Sequence, residues 1–215
     1  MINNFIKRLF SSIFLIPIIF YIIIKGGFLF ISFLTACLIL SLIEWKKMLI
    51  NEFVKTSGFF FIIFSFYCAY YLRSIDKIVN INDFLIIIII CILTDIGCYV
   101  FGKILKGPKI NKISPNKTYA GAFGGFFSSI FFLYLIISFV DFFNNYSFIF
   151  NSKNISYILF LSLINQVGDF IISYFKRLSK IKDTGSLIPG HGGILDRIDG
   201  MIFVFPFAFF LKIFL

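Results

Sequence analysis

LIIIIICILTDIGCYVFG, residues 85–102, decides the class of fold. Ten apolar residues run without interruption before Thr94 and Asp95. A helix of about 20 apolar residues crosses the hydrocarbon core of a bilayer, so this stretch reads as a membrane span. Its one carboxylate is the informative exception. An ionisable group inside hydrocarbon is costly, so it faces protein, water or a bound ion.

Working outward, six more segments have the same character. The seven lie at about 9–24, 27–43, 57–72, 84–102, 120–140, 155–172 and 199–214. The third is the weakest, being densely apolar only over 59–71. Composition agrees: 60% of the 215 residues are hydrophobic, 14% are charged, and mean hydropathy is +0.99. A soluble domain carries about 25% charged residues, and a disordered chain has far less apolar surface. The expected fold is all-α: a polytopic integral membrane protein with about seven transmembrane helices (range six to nine). No internal repeat or soluble domain boundary interrupts it, so residues 1–215 read as a single domain.

Lys and Arg number 20 against 10 Asp and Glu, a net charge of +10. With the N-terminus inside, the inward segments hold Lys7, Arg8, Lys46, Lys47, Lys55, the five lysines from Lys103 to Lys117, and the five bases from Lys176 to Arg197. Only Lys25, Arg73, Lys77, Lys153 and Lys212 fall outside. The bias places the N-terminus in the cytoplasm. It accounts for the basic balance through anionic headgroups, so no nucleic acid is expected as a partner. Cys37, Cys68, Cys91 and Cys98 lack CxxC spacing and read as reduced and buried. No cleavable signal peptide is expected, because the first apolar run lacks a small-residue cleavage site.

Two long polar loops fall on the same side under this topology. Loop 103–119, KILKGPKINKISPNKTY, carries five lysines. Loop 173–198 contains KRLSKIKDTGSLIPGHGGILDR. Its glycines Gly190, Gly192 and Gly193 allow close backbone approach to phosphates. Lys and Arg supply donors to phosphate oxygens, and His191, the only histidine, could join them. Asp183, Asp196 and Asp199 offer oxygen ligands for a hard cation such as Mg²⁺. Asp95 and Asp169 sit near the inner ends of their helices and open toward the same face, unless they serve only as helix-packing hydrogen bonds. Acids for a cation beside bases for phosphates suit phosphoryl or nucleotidyl transfer. No Walker A sequence is present, which argues against an ATP-driven motor.

With these residues on the page, the chain resembles the phosphatidate cytidylyltransferase family, also called CDP-diacylglycerol synthases. The family signature is matched in order by Ser173, Lys176, Arg177, Lys182, Asp183, Gly185, Pro189, Gly190, His191, Gly192, Gly193, Asp196, Arg197 and Asp199. Upstream, Asp95, Tyr99 and Gly102, then Ser114, Pro115, Lys117, Thr118 and Gly121, follow the family in outline, and Glu44-Trp45 matches an early Glu-Trp pair. The chain departs from it at Cys98, at Tyr119-Ala120 where Trp-Glu is usual, and at Ile172 where Glu is usual.

The resemblance implies transfer of the cytidylyl group of CTP to phosphatidic acid, with Mg²⁺ or another divalent cation. It implies a homodimer at the cytoplasmic face of the inner membrane, in contact with membrane lipids. The expected metal-holding acids are Asp169, Asp183 and Asp196, then Asp199, with Asp95 in support. Lys176, Arg177, Lys182, His191 and Arg197 would meet phosphates. Ser114, Lys117 and Thr118 would bind nucleotide or lipid phosphate, and Ser173, Gly192 and Gly193 would complete the substrate site. Of these, Asp169, Asp183, Asp196, Lys182 and Arg197 are expected to be catalytic. The alternatives are a transporter for an anionic solute, or a CTP-dependent enzyme acting on another lipid phosphate or an isoprenoid alcohol.

Overall fold

The computed structural model describes residues 16–48, 51–74, 79–110, 117–139, 150–185 and 192–214. They form α1 (Ile16–Lys25), α2 (Gly27–Lys46), α3 (Glu52–Ser74), α4 (Val79–Leu105), α5 (Tyr119–Phe139), α6 (Ser152–Leu178), the single turn α7 (Leu195–Ile198) and α8 (Met201–Phe214). Among the described residues there is no strand, and an isolated β-bridge joins Lys109 and Thr118. Six of the seven apolar segments coincide with helices, and of the first, 9–24, the described part from 16 on is helical while 9–15 lie outside the described residues. Five helices, α2 to α6, are long and apolar enough to cross a membrane, whereas α1 and α8 as described are shorter. The chain is thus an all-helical, multi-pass membrane protein.

The segment expected to be weakest is a full helix of 23 residues. Its polar beginning is helical because Asn51 caps it, accepting from the Phe53 amide, and because Glu52 pairs with Lys55 one turn on. Trp45 also donates its indole N–H to the Lys55 carbonyl.

α4 lies at the centre. Leu85, Ile86, Ile87 and Ile90 are buried against Phe30, Leu72, Leu133, Leu161 and Val204 from five other helices. That position explains the near-unbroken aliphatic run: protein and lipid are both apolar solvents for it. α4 and α5 approach closely because small residues line their contact. A Cβ on Gly124 would collide with Phe101, and one on Gly97 would meet Ser128 and the Gly124 carbonyl. The glycines beside Asp95 and Asp169 are therefore packing residues, Gly168 lying against Phe203.

The two ends of the bundle differ chemically. At one end Arg73 donates to the carbonyls of Ile23 and Ile24 at the end of α1, and Lys212 pairs with Asp83 at 2.8 Å. At the other end, the chain leaving α6 makes a Schellman turn: Ile181 N–H donates to the Lys176 carbonyl and Lys180 N–H to that of Arg177. Lys180 takes the left-handed conformation usually given to glycine (φ 55°). The turn sends the segment after α6 back across the bundle end toward α2.

Candidate active site at one end of the bundle

α6 supplies the frame. Ser162, Asn165, Asp169, Ser173 and Lys176 recur every three or four residues, which puts them on one helical face. Thr94 Oγ1 and Ser162 Oγ lie 2.9 Å apart, and Asn165 donates to Asp95 at 2.7 Å, stitching this face to α4. The Asn165 side chain is fully buried and its Oδ1 has no partner.

Beside this seam lies a cavity of about 550 Å³. Asp95, Lys117, Thr118, Asp169 and Ser173 line its polar side, and Tyr99, Ile110, Leu163, Val167 and Phe170 its apolar side. Lys117 Nζ stands 2.8 Å from Asp169 Oδ2 and 5.5 Å from the centre of the Phe170 ring. Ser173 donates to the other Asp169 oxygen at 3.3 Å. Thr118 caps α5, its hydroxyl accepting from the Gly121 amide at 3.1 Å. Described residues of both polar loops, Lys117 and Thr118 of the first and Ser173 of the second, therefore meet at one site.

The signature segment forms a second layer. Lys176 Nζ lies 2.8 Å from Asp196 Oδ1 and 4.0 Å from Asp199 Oδ2. Asp196 Oδ2 accepts from the amides of Thr184 (2.7 Å) and Gly193 (3.0 Å). Gly192 turns the chain with φ +82°, and a Cβ there would come 2.8 Å from Asp196 Oδ2. Burial pushes the Asp196 carboxyl up, but Lys176 and the two amides outweigh it and hold the group below the usual carboxylate range. Asp199 sits in the turn between α7 and α8. Burial, with Asp169 and Asp95 nearby, holds it well above that range against the pull of Lys176. Asp95, Asp169 and Asp199 thus act on one another across the site, with Lys117 and Arg197 also acting on Asp95.

Asp183, Lys182, Arg177 and Arg197 are exposed around this layer, with Arg177 donating to the Ile181 carbonyl. Ser114 and His191 lie outside the described residues. Three polar residues absent from the expected site belong to its structure: Glu44, Asn165 and Thr184. Glu44 accepts from the Thr184 hydroxyl and from the amides of Ile194 and Leu195. A signal for two of them existed. Glu44 is the one acid in the apolar run of α2, and Asn165 precedes Asp169 by one turn.

All ligating atoms of the site would be oxygens, as a hard cation requires, and the Asn165 amide, which donates to Asp95 through its nitrogen, leaves a buried Oδ1 unpartnered against Gly200. Among the described residues, no three acidic, Cys or His groups converge as a ready-made metal site. This fits a Mg²⁺ held by one or two carboxylates, water and substrate phosphates, and not a cage made of protein alone.

Fold and site together define a helical membrane protein with a cavity at one end lined by two acids, a lysine and apolar side chains. The family model described as the cytidylyltransferase family matches residues 51–214, and the chain belongs to that family. A phosphatidate cytidylyltransferase of Staphylococcus aureus (strain COL) is 45% identical over 115 residues, covering 53% of this chain and 42% of that protein. One from Rickettsia bellii is 41% identical over 137 residues, covering 61% and 59%. One from Brucella suis is 35% identical over 199 residues, covering 91% and 70%. The match thus spans less than half the length of the Staphylococcus relative.

Proposed function

We propose that the protein transfers the cytidylyl group of CTP to phosphatidic acid, giving CDP-diacylglycerol and pyrophosphate in phospholipid biosynthesis. One observation carries this reading: a single cavity combines two acids, Asp95 and Asp169, a fixed lysine, Lys117, and an apolar wall, with the Lys176–Asp196 pair in the layer beside it. A nucleotide triphosphate and a lipid phosphate need that combination together. The family and the names of its relatives support it.

In this reading a phosphate oxygen of phosphatidic acid forms a bond to the α-phosphorus of CTP. The bond from that phosphorus to the β-phosphate bridging oxygen breaks, and pyrophosphate leaves with its electron pair. The attacking oxygen is already anionic, so no protein nucleophile is needed. Lys117 and Lys176 hold phosphate oxygens and offset the charge that builds on them, with Arg197, Arg177 and Lys182 at the rim. Asp169 is the proposed first Mg²⁺-holding group, with Asp95 or Asp199 as the second and water and substrate phosphates completing the shell, while Asp183 stands at the exposed rim. The cation supplies charge stabilisation on the phosphates. Asp196 spends its oxygens on Lys176 and two amides, so its proposed role is to shape the signature segment.

The proposal includes seven crossings, with α1 and α8 as the first and last, in a single domain spanning 1–215. The N-terminus and the site face the cytoplasm at the inner membrane, since the lysine-rich loops share that end. The working unit is a homodimer among membrane lipids. The test is purified protein in lipid nanodiscs given CTP, phosphatidic acid and Mg²⁺. Formation of CDP-diacylglycerol with stoichiometric pyrophosphate is the expected result. Stable protein that forms neither, or that accepts only another lipid phosphate, overturns the reading.

A further inference from the structure

Glu44 closes α2 away from the cavity, and the family match begins only at residue 51. Its carboxylate is 2% exposed. Oε1 accepts from the Ile194 amide at 2.9 Å, and Oε2 accepts from the Leu195 amide at 2.9 Å and the Thr184 hydroxyl at 2.7 Å. The signature segment is shaped around this group. A Cβ on Gly185 would come 2.8 Å from Oε1, and one on Gly193 would collide with Oε2.

The contacts continue into the site. Thr184 Oγ1 also lies 3.0 Å from Asp196 Oδ2. The hydroxyl has one proton, which goes to the shorter contact with Glu44, because Asp196 is already served by the Thr184 and Gly193 amides. Asp196 then fixes Lys176 at 2.8 Å. A buried carboxylate is an expensive way to fill space where an apolar side chain would pack. Its expense is understandable if it holds something that must not move.

We propose that Glu44 is a positioning residue for the reaction: it fastens Thr184 to the turn at 193–195 and, through Thr184 and Asp196, sets where Lys176 presents its charge to substrate phosphate. The catalytic half of this statement rests on the cytidylyltransfer reading. The fastening half does not.

The test uses full-length protein in nanodiscs with Glu44→Gln, Thr184→Val and the double variant. Glutamine keeps shape and removes one acceptor. Thr184→Val removes only the hydroxyl and serves where Glu44→Gln does not accumulate. Two readouts are taken, turnover and hydrogen exchange of peptides covering 192–196. Each single variant is expected to lower turnover at least tenfold. The double should fall no further than the more damaged single, because both break one contact. Exchange should rise over 192–196 and stay unchanged in α3 and α4. Unchanged exchange over 192–196, exchange raised throughout the protein, or full turnover in a loosened variant overturns the proposal. Wild-type protein that makes no CDP-diacylglycerol overturns the functional reading alone, since exchange still decides whether Glu44 fastens the segment.

Discussion

Lys117 Nζ lies 2.8 Å from Asp169 Oδ2, so the lysine-rich loop after α4 is tied to the polar face of α6. Both side chains are partly exposed through the cavity, at 24% and 32%, so the pair itself contributes little to stability. Its value lies in placing a cation and an anion on the cavity wall. Lys117→Met and Asp169→Asn are each expected to lower turnover by about 100-fold, the scale for losing one stabiliser of developing charge. The double variant should not recover. Recovery in kinetic assays of the double would show that the pair is only a structural tie.

Asp196 and Lys176 form the buried counterpart, with side chains 4% and 11% exposed. Removing the charge of Asp196 strands Lys176 and weakens acceptance from two amides. Asp196→Asn should cost about 3 kcal/mol of stability, the scale for breaking a buried pair. Thermal unfolding in detergent would show this as a lowered midpoint. An unchanged midpoint would contradict the geometry.

The same carboxylate fixes the sign of an acid effect. Its folded-state pKa lies below the usual value, so the folded protein binds fewer protons there than the unfolded chain. Its contribution is present above the unfolded value of about 3.9 and is lost as pH falls through the folded value. Acidification below about pH 4 should therefore destabilise wild type more than Asp196→Asn, measured as unfolding midpoint against pH.

Chelation should stop pyrophosphate release, and Mg²⁺ should restore it. Asp199→Asn and Asp95→Asn are expected to raise the Mg²⁺ concentration needed for half-maximal rate by tenfold or more. Variants with wild-type Mg²⁺ dependence would remove these two acids from the cation site.

Close packing of α4 on α5 gives a prediction independent of chemistry. Gly124→Ala places a methyl group into Phe101, whereas a Cβ on Gly107 would sit 3.4 Å from Ala120. The first substitution should cost about 1–3 kcal/mol and the second almost nothing. Detergent resistance of the two variants checks this directly.

Much of the site was legible along the chain because its chemistry is concentrated there. Asp95 and Asp169 announced themselves as carboxylates in apolar surroundings, and each lines the cavity. The signature residues lie within 27 positions, from 173 to 199. Glu44 was legible as the one acid in its apolar run and as one half of a pair with Trp45, but its role was not. Its partners are 140 and more positions away, and no local pattern encodes that separation. Thr184 looked like an ordinary loop residue until Glu44 and Asp196 were found on either side of its hydroxyl.

Hydropathy by itself determined that this protein is a bundle of membrane helices. That follows from solvent: hydrocarbon accepts only self-satisfied helices, and the cost of charge there confines ions to the ends or to protein cavities. Only the tertiary structure decided how the carboxylates divide. Asp196 is held by Lys176 and backbone amides, Glu44 by the residues it anchors, Asp95 and Asp169 line the cavity, and Asp199 lies near Lys176. The reason is physical. All five are the same functional group, and what each does depends on the donors and charges that packing brings within a few ångströms.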